Sequence, residues 1–136
     1  MDNPLMDVEG ARERLEAWKA DAERRAAATQ AAGEGLQALR IKGSDDYRIV
    51  EITIDSSGSL VDVQLAPQVQ RQSPEQTRQA ILAAHRDARV KLAEAAAEVV
   101  RETIGENSAT GRALLAGFQP RDTEPDDPAD HGREWR

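Results

Sequence analysis

Residues 41 to 67 read Ile-Lys-Gly-Ser-Asp-Asp-Tyr-Arg-Ile-Val-Glu-Ile-Thr-Ile-Asp-Ser-Ser-Gly-Ser-Leu-Val-Asp-Val-Gln-Leu-Ala-Pro, a block of period two set between two long alanine-rich stretches. Val50, Ile52 and Ile54 alternate with Glu51 and Thr53, and Val61, Val63 and Leu65 alternate with Asp62 and Gln64. Successive strand side chains point to opposite faces, so both runs read as half-buried antiparallel strands, over residues 47–55 and 60–66. Ser56-Ser57-Gly58-Ser59 is short enough to close them into a hairpin, with Gly58 supplying the positive φ that such loops need. Gly43 to Asp46 makes a similar turn one step earlier. Leu39 and Ile41 alternate with Arg40 and Lys42, which suggests a first strand within residues 36–42 and hence a three-stranded meander, while Leu36-Gln37-Ala38-Leu39 also suits a helix end.

The flanking stretches are helical in period. In residues 5–33, Val8, Ala11, Leu15, Trp18, Ala22 and Thr29 recur at steps of three, four or seven, and charged residues fill the other faces. Gly33 and Gly35 are the expected end. The second helix opens at Ser73-Pro74-Glu75-Gln76, where Ser73 can cap, Pro74 suits the first turn, and Gln76 completes a capping box. Ile81, His85, Ala88, Leu92, Ala95 and Val99 then predict an apolar seam running to about residue 104, over a length of roughly 45 Å. Beyond Gly105 a short helical segment at 113–116 precedes a tail whose residues 119–136 hold six acidic and three basic side chains, a composition expected to stay disordered. The expected fold is therefore α+β: a long N-terminal helix, a three-stranded antiparallel β-meander, a long second helix and a disordered acidic C-terminal tail. The expected organisation is a domain over 1–106 and a flexible tail over 107–136.

Only 3% of the residues are aromatic, so the core must be built from Ala, Leu, Ile and Val. Alanine-faced helices bury little apolar surface, and a homodimer that covers a second face is the natural expectation. Core or dimer packing is assigned to Leu15, Trp18, Val50, Ile52, Ile54, Val61, Val63, Leu65, Ile81, His85, Leu92 and Val99. Without cysteine there is no disulfide or thiol nucleophile. No apolar run is long enough for a membrane span, and the first residues lack the basic and apolar regions of a signal peptide, so the expected location is the cytoplasm, within the nucleoid if DNA is bound. The two histidines, His85 and His131, stand apart, and no HExxH spacing, phosphate loop or nucleophile elbow is present. We therefore expect no enzyme, no cofactor and no metal site. Trp135 lies in the tail, where a solvated aromatic is the plain reading.

The chain carries 18 Lys and Arg against 25 Asp and Glu, a net charge of −7, which opposes indiscriminate attraction to phosphate. A polyanion contact would need a local cluster. Arg78 and Arg89 lie eleven residues apart, three helical turns, and so share a face of the second helix, with Arg86 offset from them. Arg24, Arg25, Arg40 and Lys42 could extend that patch in a dimer. The competing reading is an ordinary solvated face, because Asp87, Glu94 and Glu98 interleave with the arginines.

The Ile41-Lys42-Gly43 turn, the strand from Arg48 to Ile54, the turn at Gly58, the strand from Leu60 to Leu65 and the helix from Ile81 to Ala88 together resemble the YbaB/EbfC family of bacterial nucleoid-associated proteins over about residues 5–104. The alanine-rich, arginine-over-lysine composition suggests an actinobacterial-type member. The resemblance implies a small α/β homodimer whose paired helices project like tweezers and which binds duplex DNA, largely through phosphate contacts. The cations named above become the candidate contacts. The alternative is a protein-binding adaptor or accessory of a specialised secretion system that uses the same helices, with little or no DNA binding.

Overall fold

The computed structural model of the protein describes residues 4–119, with side chains from Asp7 onward. The acidic tail from residue 120, with His131 and Trp135, lies outside the described residues. Helix α1 spans Pro4–Gln37, strands β1, β2 and β3 span Arg40–Ser44, Val50–Asp55 and Leu60–Leu65, helix α2 spans Pro74–Thr103, and helix α3 spans Ala109–Ala116. A 3-10 turn at Pro67–Arg71 links β3 to α2. The strands form one antiparallel meander in the order β1-β2-β3. The α+β layout inferred from the sequence is the one observed.

Two boundaries differ from expectation. Helix α1 runs through Gly33 and Gly35 to Gln37, so Leu36 belongs to the helix and β1 begins only at Arg40. Gly35 does not end the helix but narrows it, since a β-carbon there would sit 2.8 Å from Cγ1 of Val99 on α2. That contact, with Ala32 and Leu36 buried beside it, fastens the last turns of α1 to the second half of α2.

Helix α2 starts as its sequence implies. Ser73 Oγ accepts from the Gln76 N–H at 3.2 Å, and Gln76 Oε1 accepts from the Ser73 N–H at 3.2 Å, satisfying two donors that the first turn would otherwise leave open. Its buried residues are Ala80, Ala84, Ala88, Leu92, Ala96 and Val100, which corrects the expected seam by one position. Only Ala88 and Leu92 belong to both. Ile81 is 38% exposed, while His85, Ala95 and Val99 are half-buried along the margin. A stripe of spacing four drifts about 40° per step around a helix of 3.6 residues per turn. Its first half therefore meets the sheet, and its second half turns toward α1 and α3.

The register explains why alanines line the first half. Gly43 pairs with Ile52, and Ile52 with Val63, so these residues share the sheet face that α2 covers. A β-carbon on Gly43 would lie 2.2 Å from the Ala88 backbone nitrogen and 2.5 Å from the Ala84 carbonyl oxygen. Strand and helix backbones touch there, and only small side chains fit around the crossing. Ile49, Val50, Ile52 and Ile54 pack with Ala80, Ala84, Ala88 and Leu92 into the core, bordered by Leu39, Ile41, Val69 and Phe118. Burial of each large aliphatic side chain contributes about 2 kcal/mol.

The helix covers β1 and β2 but not β3. Val61, Val63 and Leu65, expected to hold the helices, are exposed, Leu65 at 52%. Leu15 and Trp18 on α1 are likewise exposed, Trp18 at 68%. None of these five is a core residue of the single chain. The reason is geometric: one helix is too narrow to roof three strands, and α1 meets α2 only at its C-terminal end. Residues 107–119, grouped by composition with the tail, contain α3, capped by Ser108 and packed on the end of α2 through Gly111 and Val100.

Candidate nucleic-acid interface

The β1–β2 turn is organised by one buried carboxylate. Asp45 Oδ1 accepts from the N–H groups of Ile49 at 2.7 Å and Val50 at 2.8 Å, and Oδ2 accepts from the Tyr47 N–H at 3.3 Å. The Arg48 N–H donates to the Asp45 carbonyl at 3.1 Å, and this tight closure holds Arg48 at a φ of 55°, among the described residues the one non-glycine with positive φ. The β2–β3 turn uses Asp55 in the same way. Its Oδ1 accepts from Ser57 Oγ at 2.6 Å and from the N–H groups of Ser57 and Ser59 at 2.9 and 3.0 Å, while Gly58 takes a φ of 81°. The Ser57 hydroxyl, with these amides, holds the Asp55 carboxyl below its ordinary value.

Within the single chain most of the expected cations have partners of their own. Arg24 and Arg25 both reach Asp21, at 3.7 and 2.8 Å. Arg40 folds back onto the carbonyls of Gln37 and Leu39, at 3.3 and 2.7 Å. Arg78 grips Glu75 with two hydrogen bonds of 3.0 and 2.7 Å, which lowers the Glu75 carboxyl and raises the guanidinium. Lys42 approaches Glu51 at 3.7 Å. Arg86 and Arg89 differ from these, for among the described residues neither forms an ion pair or, as Arg40 does, a hydrogen bond to a carbonyl. Arg89 reaches toward the β2–β3 turn, its guanidinium 3.3 Å from where a Gly58 β-carbon would stand. The exposed pairs of Arg24, Arg25 and Arg78 are of the kind worth little to stability.

Across the sheet, on the flank of α2 opposite Arg89, Asp87 joins helix to strand. Its Oδ2 accepts from the Ser44 N–H at 3.0 Å and from Lys91 Nζ at 2.9 Å. The Ser44 amide first, and Lys91 second, hold its carboxyl below the ordinary aspartate value. A depressed pKa in the folded chain stabilises it fully above the unfolded value, and that contribution is lost as pH falls through the folded one. Asp87→Asn should therefore flatten the fall in melting temperature below about pH 4 relative to the parent chain. Identical acid limbs would show that Asp87 titrates alike folded and unfolded.

Two clefts flank the β1–β2 turn. One, of about 290 Å³, is lined by Asp45, Asp46, Tyr47, Gln72, Gln76 and Gln79 among others, and its only charged groups are carboxylates, which repel phosphate. The other, of about 240 Å³, is lined by Lys42, Gly43, Ser44, Arg48, Glu51 and Lys91. Arg48 and Lys91 were not among the cations expected from the sequence. Lys91 falls on the opposite flank of α2 from Arg78 and Arg89, and nothing in the local sequence marks a left-handed arginine. Among the described residues no group of three or more His, Cys, Asp or Glu is placed to hold a metal ion. No helix among them is long and apolar enough to cross a membrane.

No curated protein matches the chain. The model of the YbaB/EbfC DNA-binding family matches residues 12–107, from the first third of α1 past the end of α2. With a match over more than half of its length, on the helix–meander–helix arrangement described above, the chain belongs to the YbaB/EbfC DNA-binding family.

Proposed function

We propose that this protein binds duplex DNA as a homodimer, without catalysis, through phosphate contacts in the nucleoid. The observation that carries the reading is the pair Arg86 and Arg89 on α2, cations with no carboxylate partner among the described residues in a chain of net charge −7. An unpaired arginine can neutralise a phosphate without first breaking an ion pair. The uncovered apolar residues Val63 and Leu65 on β3 and Leu15 and Trp18 on α1 support a second copy as their cover, since an open, apolar edge strand is otherwise an aggregation hazard. A dimer doubles the number of free arginines and allows the duplex to be held from two sides.

The test is a titration of the full chain with a duplex of arbitrary sequence across a salt series, with the mass in solution measured on the same preparation. We expect a dimer at micromolar concentration and a linear fall of log K with log salt. Arg86→Ala with Arg89→Ala should weaken binding at every salt concentration and make the slope shallower by about 1 for each arginine that had neutralised a phosphate. Arg78→Ala alone should do less, because Arg78 already grips Glu75. A dimer that binds no DNA even at low salt would overturn the reading in favour of a protein partner.

A further inference from the structure

The cleft between the β1–β2 turn and α2 gathers three cations, Lys42, Arg48 and Lys91, against two carboxylates, Glu51 in its lining and Asp87 paired with Lys91. Such a surplus of positive charge is unexpected in a chain with seven more acidic than basic residues. Three elements contribute to it: β1 supplies Lys42, the turn supplies Arg48 and α2 supplies Lys91. Two of the cations are held in place by carboxylates. Asp87 fixes Lys91 at 2.9 Å while itself bound to the Ser44 N–H, and Glu51 stands 3.7 Å from Lys42, a long and exposed pairing. Arg48 has no ion pair among the described residues, and its backbone is held at a φ of 55° by the Asp45 turn. A residue in that conformation is retained against a steric cost, and glycine would relieve it. What arginine adds there is a forked donor in the lining of the cleft, beside Ser44.

We propose that this cleft is a phosphate-binding site that takes a phosphodiester of the duplex backbone. It deepens the DNA-binding reading and rests on it for the source of the phosphate. Arg48 supplies a two-pronged contact, Lys42 and Lys91 flank the anion as point charges, and Ser44 donates its hydroxyl. Lys42 exchanges its long pairing with Glu51 for the phosphate. Glu51 opposes binding, which keeps the site selective for anions strong enough to displace it. The cleft lies on the opposite flank of α2 from Arg89, so the two sets of cations engage different phosphates.

Arg48→Gly tests this directly, because it removes the guanidinium and relaxes the backbone. We expect a melting temperature equal to or above the parent's, weaker duplex binding and a salt slope reduced by about 1. Arg48→Lys should restore the slope, and Glu51→Gln should strengthen binding. Inorganic phosphate, titrated into the isotope-labelled full chain, should shift the amide resonances of Gly43, Ser44 and Arg48 in the parent and not in Arg48→Gly. If duplex binds and Arg48→Gly leaves affinity and slope unchanged, the cleft assignment fails while the DNA reading stands. If phosphate shifts those amides and duplex does not bind at low salt, the DNA reading fails and the cleft takes a phosphate from another source. If phosphate leaves the amides unmoved, the site is overturned.

Discussion

Gly43→Ala should lower stability by about 3 kcal/mol, at the upper end of the usual cost of overpacking a core, and the melting temperature by on the order of 10 °C. The added carbon would sit 2.2 Å from the Ala88 nitrogen and 2.5 Å from the Ala84 oxygen, both backbone atoms of α2. No rotamer change can remove such a clash. The helix must lift from β1 and β2, and every apolar contact beneath Ala80, Ala84, Ala88 and Leu92 loosens with it. The same substitution at Gly33 has the opposite sign. Nothing lies within 4 Å of a β-carbon there, and alanine is favoured over glycine inside a helix by roughly 0.5–1 kcal/mol. Thermal or urea unfolding of the two variants beside the parent decides the matter, and a Gly43→Ala protein melting with the parent would refute the backbone contact.

Loss of the Asp45 carboxylate is the second large effect. Asp45 is 6% exposed, and Ile49 and Val50, whose N–H groups it accepts, are themselves buried. Asp45→Ala leaves two buried donors unsatisfied, at about 1–3 kcal/mol each. We expect a loss of roughly 2–5 kcal/mol, a sizeable part of the 5–15 kcal/mol that holds an ordinary domain together. Asp45→Asn keeps one acceptor oxygen and should cost less than half as much. Amide exchange at Ile49 and Val50 distinguishes this from a general loosening, since those two protons should exchange far faster in Asp45→Ala than their neighbours in β2. Uniform acceleration across the sheet would argue that the carboxylate acts through something other than these bonds. Because the same turn sets the φ of Arg48, Asp45→Ala should also weaken any phosphate binding in the adjacent cleft.

The elements whose signals are local were legible. Alternation in Val50, Ile52 and Ile54 and the capping box of Ser73 and Gln76 act over a few residues, and the structure shows each in its expected place. The end of α1 was not legible, because Gly33 and Gly35 carry the mark of a helix terminus while Gly35 serves close packing on Val99. The α2 seam differs from its hydrophobic pattern by one position for a related reason. Ile81 and His85 look like seam residues on hydrophobicity, but the sheet approaches so closely at Gly43 that only Ala84 and Ala88 can face it.

For the candidate interface, the sequence named Arg86 and Arg89 but could not separate them from Arg24, Arg25 and Arg78. The difference lies in whether a carboxylate stands within reach, and for the cleft cations it lies in three elements meeting. Arg48 and Lys91 are 43 residues apart, and no period joins them.

By itself, then, the sequence determined the order and kind of the elements and the family, because strand alternation, helix period and capping are read along the chain over distances of a few residues. Tertiary structure alone decided which face of α2 is buried, which apolar residues of β3 and α1 the chain leaves uncovered, and which cations are free. Those outcomes depend on distances between backbones and charges that are far apart in sequence, and steric exclusion at Gly43 and ion pairing on the helices arise only once the chain has folded.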